Sequence, residues 1–278
     1  MKRRLQRIAT SLILLGALLV LVFPIYWLVA TSLKSNAELY ASVPTLLPQN
    51  PTLEPYYSVL VDRNGSKLLV NSLVAGVCST ALAITIALAL CYPITRLPTS
   101  PRVRGFVLGW SMSLRFLPPV ALVIPWLIII RALGLYNELP ALMIVYTVMN
   151  LPFAIWMIKG FLDEIPMETE QAALIDGATR FQAFTKVILP LSKTGILAAG
   201  IIVLAFDWAE FPFALVLTAT DQAMTFPVGV QGLVTQFEII WNDMAAAGVI
   251  AIAIPLVLMV AARKYVMSGL TFGVVRDT

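Results

Sequence analysis

An all-α membrane protein with six transmembrane helices is the fold predicted for this chain, and three features predict it. Hydrophobic residues fill 59% of its 278 positions and charged residues only 12%, about half the charged share of a soluble domain. Mean hydropathy is +0.88. The apolar residues fall in runs near the roughly 20 residues that cross a bilayer, and Lys and Arg gather in alternate connections.

Charge-free runs place clean spans at about 8–33, 68–95, 139–158 and 244–262. Two further spans, 105–130 and 194–220, are interrupted by Arg115 and by Asp207 and Glu210 respectively. The first run follows Lys2, Arg3, Arg4 and Arg7. It is too long for a signal peptide and ends without a small-residue cleavage site, so it reads as a retained anchor. A single transmembrane domain over 1–278 is expected.

With the N-terminus inside, the cytoplasmic segments 1–7, 96–104, 159–193 and 263–278 hold fourteen basic residues, and the opposite segments hold four. That bias places both termini in the cytoplasm. The connection 34–67 carries Pro44, Pro48, Pro51, Pro55 and Asn64-Gly65, which make it extended and turn-rich. Membrane lipid is the expected surrounding of most apolar surface. The net charge of +4 is scattered and points to no nucleic acid.

Several chemistries are excluded. The chain contains no histidine, which removes imidazole bases and histidine metal ligands. It lacks the G-x-x-x-x-G-K-[ST] phosphate loop and the G-x-S-x-G elbow. No enzyme activity, metal site or cofactor is therefore expected in this chain. Cys78 and Cys91 are thirteen positions apart, about 20 Å along a helix. That exceeds disulfide reach, so both read as packing residues.

The segment 163–193 carries the most information. Pro166 suits a first helical position, and Glu168 and Glu170 fall where a helix N-terminus favours negative charge. Ala172, Ala173 and Leu174 continue the helix, and Gly177 after Asp176 stops it with a left-handed cap. Thr179 caps a second short helix with Phe181, Phe184 and Val187 on one face, ended by Pro190. The product is a compact helix–turn–helix that another protein can approach closely, or else an ordinary amphipathic connector.

Charges inside the spans form a second candidate site. Asp207 and Glu210 are three positions apart and would share a helix face. A charge in the bilayer core costs at least about 2.5–3.5 kcal/mol, so Arg115, Asp207 and Glu210 should face protein or water. They line or brace a pathway, form a structural ion pair with Asp207 nearest to Arg115 in depth, or support a local kink near Pro118-Pro119 and Pro212. Asn150, Trp156, Trp208 and Phe211 are candidate substrate-lining residues, although aromatics in spans more often serve packing.

The 163–193 segment resembles the cytoplasmic signature of ABC importer permeases: Glu-Ala-Ala, three residues, Gly, nine residues, Ile-x-Leu-Pro. Gln171-Ala172-Ala173, Gly177, Val187 and Leu189-Pro190 stand at those intervals. Gln171 replaces the signature glutamate and Val187 its isoleucine. Further stretches are similar to the maltose- and trehalose-transporter type of the carbohydrate branch. They are Arg115-Phe116-Leu117-Pro118-Pro119, Asn150-Leu151-Pro152-Phe153-Ala154-Ile155-Trp156, Trp208-Ala209-Glu210-Phe211 and Gly269-Leu270-Thr271-Phe272-Gly273.

The resemblance implies a permease subunit of a prokaryotic inner (plasma) membrane, forming half of the pathway for a mono-, di- or oligosaccharide. Its implied partners are a second permease, an ABC ATPase dimer holding ATP and Mg, and an extracytoplasmic sugar-binding protein. Glu168, Glu170, Gln171, Ala172, Ala173, Asp176, Gly177, Leu189 and Pro190 would form the ATPase-docking loop. The alternative is a secondary transporter or channel acting alone, which would need an intramembrane ion site and no docking loop.

Overall fold

A computed structural model describes residues 2–233 and 240–271, with the side chains of 2–5, 7–9, 115, 261, 262 and 264–271 excepted. Among the described residues the secondary structure is helical throughout. Four helices are long and apolar enough to cross a membrane, and two bent pairs bring the number to as many as six. The six-span expectation is compatible with that arrangement.

The chain divides into two compact units, 1–66 with 229–254 and 67–228 with 255–278. The first unit begins with α1 (Lys2–Ser32), whose large apolar side chains from Leu12 to Ile25 are exposed. Continuous exposed apolar surface of that length suits lipid or another membrane helix as its solvent. A folded connection follows, with the short helices α2 (Asn36–Leu39) and α3 (Glu54–Tyr57) and a π-helical turn at Ser58–Asp62.

Glu38 organises that connection. Its carboxylate accepts bonds from the Thr45 hydroxyl and the Gln49 amide, and these bonds hold it below the usual glutamate range, the Thr45 bond foremost. The Lys34 ammonium bonds the Thr45 carbonyl, and Tyr26 donates to the Leu46 carbonyl at 2.7 Å. Further along, Asp243 receives the Ser58 hydroxyl at 2.7 Å and the Arg63 guanidinium at 3.4 Å.

In the second unit, α4 (Gly65–Arg96) presents a ladder of small side chains. Ala75, Ser79, Ala83, Ala87 and Cys91 recur every fourth residue, and each is wholly buried. Without a hydrophobic drive between helices in lipid, such small-residue seams permit close backbone packing. Next come α5 (Pro101–Phe116) and α6 (Pro119–Ala132), whose axes differ by 103° across Leu117-Pro118. Proline disfavours helix in the residue before it, so the expected 105–130 span is two helices around a break.

The central helix is α7 (Leu139–Glu164), which continues through Pro152. Then follow α8 (Met167–Ile175), α9 (Arg180–Ala183), a π-helical turn at Phe184–Ile188 and α10 (Leu189–Leu191). After Ser192, α11 (Lys193–Trp208) rises against α7, and α12 (Pro212–Leu217), α13 (Phe226–Gln231) and α14 (Trp241–Thr271) complete the order. Residues 272 and 273 of the Gly269–Gly273 motif lie outside the described residues.

Two expectations are corrected here. Pro190 does not end the helix, which runs on to Leu191. A proline crowds the carbonyl one turn back, and the wider π-helical turn immediately before it relieves that crowding. The expected 194–220 span is also broken, since α11 ends at Trp208 and α12 starts at Pro212.

Ile84, Ala87 and Cys91 of α4 pack with Ile155, Ile158 and Leu162 of α7 and with Ala199 and Val203 of α11 in one core cluster. Gly195 sets the approach of α11 to α7, because a Cβ there would lie 2.2 Å from the Phe161 ring. Gly195→Ala should therefore destabilise the protein by about 1–3 kcal/mol through overpacking. Phe161→Leu should restore part of the loss when combined with it. Thermal unfolding of the detergent-purified chain measures both, and an unchanged midpoint for Gly195→Ala would contradict this packing.

Candidate functional site

Asp207 is 4% exposed, near the end of α11. Its Oδ2 accepts the Ser79 hydroxyl at 2.6 Å and the Thr80 hydroxyl at 3.1 Å, and its Oδ1 accepts the Asn150 amide at 2.6 Å. Three neutral donors from α4 and α7 thus surround one buried carboxylate. Hydrogen bonds to a charged group contribute about 1.5–3 kcal/mol each, enough to offset much of its desolvation. The Arg115 side chain lies outside the described residues.

Glu210 has different work. Because α11 ends at Trp208, Asp207 and Glu210 do not share a helix face. Glu210 precedes α12, and its two carboxylate oxygens accept the amides of Phe213 at 2.7 Å and Ala214 at 3.1 Å. Those N–H groups open a helix and have no partner within it. At membrane depth water cannot satisfy them, so the carboxylate caps the break.

The two broken helices and α7 enclose a cleft of about 290 Å³. Leu114, Leu117 and Pro119 form one side, Phe206, Glu210 and Pro212 another, and Tyr146, Met149 and Asn150 the floor between them. Tyr146 is 1% exposed and its hydroxyl lies beside Glu210. Of the expected substrate-lining residues, only Asn150 reaches this cleft. Trp208 is buried, Phe211 packs with the second core cluster, and Trp156 is on the surface, bonded to the Ser111 hydroxyl at 3.1 Å.

Sequence reasoning missed Tyr146, Phe206, Ser79 and Thr80. Tyr146 stands four residues before Asn150, and that spacing puts both on one helix face. The hydroxyl pair Ser79-Thr80 breaks an apolar run, which signals a polar partner elsewhere.

The loop after α7 is the second candidate. Pro166 immediately precedes α8, and Gly177 follows its C-cap Asp176 with φ of +88°. Thr179 and Gln182 form a reciprocal capping box on α9, the Thr179 hydroxyl accepting the Gln182 amide while the Gln182 side chain accepts the Thr179 amide. Glu168, Gln171, Ala172, Asp176, Gly177 and Pro190 are exposed, Ala173 and Leu189 are half-buried, and Glu170 is buried. Ile175 and Phe181 are 85% and 74% exposed. The two short helices thus present apolar, amide and carboxylate groups on one exposed surface.

A multi-pass helical membrane protein with a charge-bearing cleft between broken helices and an exposed helical loop is a membrane subunit of a transport machine. The comparisons name the family. Residues 79–271 match the family of binding-protein-dependent transport system inner membrane components, and the chain belongs to that family. It is a permease subunit and not an enzyme.

Similar proteins include the sulfoquinovosyl glycerol transport system permease of Agrobacterium fabrum, 37% identical over 97% of this chain and 92% of that protein. The diacetylchitobiose uptake system permease of Streptomyces coelicolor is 34% identical over 92% of each. Among solved structures, a bacterial ABC transporter involved in the import of the acidic polysaccharide alginate shares the fold. Its TM-score is 0.79 at 20% identity, over 95% of this chain and 97% of that one.

Asp207→Leu leaves the Thr80 and Asn150 donors without this acceptor and Ser79 with the Gly76 carbonyl at 3.0 Å, and should cost several kcal/mol, roughly one to three per stranded group. Asp207→Asn keeps an acceptor oxygen and should cost less than half as much. Unfolding midpoints of the two purified variants check the order, and equal losses would contradict the network.

Proposed function

We propose that this chain is half of the translocation pathway of an ATP-driven importer for a sugar or small glycoside. In that assembly a second, related permease completes the pathway and a separate ATPase dimer binds ATP and Mg. An extracytoplasmic binding protein delivers the substrate. The single observation that carries the reading is the docking loop, two short capped helices joined at Gly177 with an exposed face. The relatives' glycoside substrates support the substrate class.

In this reading the pathway wall includes the cleft lined by Asn150, Phe206 and Glu210. Asp207, with Arg115 nearby in depth, braces the wall as a structural charge. A polar, partly aromatic surface of this kind can exchange hydrogen bonds with sugar hydroxyls while Phe206 covers a ring face. The docking face comprises Glu168, Gln171, Ala172, Ala173, Asp176, Gly177, Leu189 and Pro190. Closure of the ATPase dimer would push this face sideways and open the pathway to the opposite side. The permease itself makes and breaks no covalent bond.

Gly177 has open space around it, so its substitution acts only through backbone strain. A β-branched residue forced to φ of +88° costs about 1–2 kcal/mol or shifts the joint between α8 and α9. In the importer reconstituted with its ATPase, Gly177→Val should retain assembly and ATP hydrolysis but lose most ATP-driven sugar uptake. Wild-type uptake by that variant would sink the reading.

In this reading both termini and the 163–193 loop lie in the cytoplasm, across the membrane from 34–67, as the asymmetry of basic residues supports. In sealed cells an impermeant thiol reagent should label a cysteine introduced at Asn50 and spare one at Ala172. The reverse pattern would invert the topology.

A further inference from the structure

The buried face of the docking helix holds the one acidic side chain of α8 that is turned inward. Glu170 is 3% exposed, while Glu168 and Gln171 on either side of it are open. Its Oε1 accepts the Tyr92 hydroxyl of α4 at 2.7 Å and stands 3.8 Å from the Arg180 guanidinium of α9. Its Oε2 is buried and has no hydrogen-bond partner among the described residues. The Tyr92 ring packs against Phe184, centroids 4.7 Å apart. One carboxylate therefore joins three elements: the docking helix, the helix after Gly177, and the end of a long membrane helix.

The same turn of α4 makes a second attachment. Arg96, four residues after Tyr92 and so on the same face, is buried. Its Nη2 donates to the carbonyls of Leu162 and of Ile165, the latter at 2.7 Å, and its Nη1 contacts the Met167 sulfur at 3.2 Å. Those carbonyls end α7, where a cation also complements the helix dipole. The bend from α7 into α8 is thus gripped on both sides by neighbouring turns of one helix.

We propose that Tyr92 and Glu170 are positioning residues for coupling: their bond anchors the docking helix to α4, so that a displacement of its exposed face moves the pathway wall. The proposal rests on the function proposed above. The mechanical reasoning is simple. α8 has only nine residues and is flanked by turns, so a force on Gln171, Ala172 and Ile175 would roll it unless its opposite face is fixed. Hydrogen bonds to a charged group are shorter and about twice as strong as neutral ones. Removing one partner also strands a buried carboxylate. The anchor thus resists roll where apolar contact alone would slide.

The test uses Tyr92→Phe, which deletes one hydroxyl and keeps the ring packing on Phe184. It is paired with a nitroxide label at Thr169→Cys, a half-buried position of α8 outside the docking face, in a Cys78→Ser background, since Cys78 is exposed and Cys91 is buried. In the reconstituted complex with its ATPase and sugar-loaded binding protein, Tyr92→Phe should hydrolyse ATP at about the wild-type rate. Its uptake per ATP should fall several-fold, and the label should become more mobile. Glu170→Gln keeps an acceptor for Tyr92 and should fall between wild type and Tyr92→Phe. Once the hydroxyl is gone, adding Glu170→Gln should lower uptake little further. A wild-type uptake-to-hydrolysis ratio in Tyr92→Phe, or an unchanged label, overturns the anchor. Absence of ATP-driven sugar uptake by the unmutated complex overturns the parent reading instead.

Discussion

Close approach of α4, α7 and α11 is the constraint on which the rest of the second unit depends. Lipid chains are as apolar as leucine, so these helices gain nothing by merely hiding hydrocarbon from one another. They gain dispersion and short polar contacts, and both need backbones near each other. The ladder Ala75, Ser79, Ala83, Ala87 and Cys91, with Gly195, Ala198 and Ala199 on α11, removes the side-chain bulk that would hold them apart. Ser79 is a rung of that ladder and also a donor to Asp207. Tyr92, one residue past its last rung, bonds Glu170 of the docking helix. The helix that sets the packing in the second unit therefore also bonds the loop helix α8.

Broken helices impose the second requirement. A chain that interrupts a helix within lipid must satisfy the freed amides and carbonyls from its own side chains. Glu210 does so at the start of α12, where its carboxyl oxygens accept two amides. Arg96 does the same for carbonyls at the end of α7, beyond the apolar run of that helix. What looks like an expensive intramembrane charge at Glu210 is the completion of secondary structure.

Legibility in the sequence follows the same division. Long apolar runs and proline–glycine punctuation depend on neighbouring residues alone, so the long helices and the α8–Gly177–α9 joint were readable. The break between Asp207 and Glu210 was not, because three-residue spacing fits a continuous helix as well as a helix end. Asp207 suggested a cationic partner, yet its described donors are two hydroxyls and an amide. Nothing local marks Ser79, Thr80 and Asn150 as meeting, since they are brought together by packing across three helices. Tyr92 and Arg96 were equally silent, one an aromatic at the end of an apolar run and the other one more basic residue in a connection. The passage of the helix through Pro190 depends on a π-helical turn that propensity does not encode.

The docking helix inverts the usual arrangement of an amphipathic element. A surface helix ordinarily turns apolar residues inward and charges outward. Here Glu170 is buried while Ile175 is almost fully exposed. Burying a carboxylate costs several kcal/mol unless it is bonded, and exposing isoleucine forgoes the gain of hiding it. Folding of the isolated chain favours neither choice. Both are explained if α8 has two contact surfaces with different duties. On the outward side a protein partner over Ile175 would recover the burial that the chain alone omits. On the inward side Glu170 meets a directional donor, and direction is what apolar contact lacks. Loss of the outward contact would weaken assembly, whereas loss of the inward one would leave assembly intact and blunt the transmission of movement. The two faces of one nine-residue helix thus separate holding a partner from responding to it.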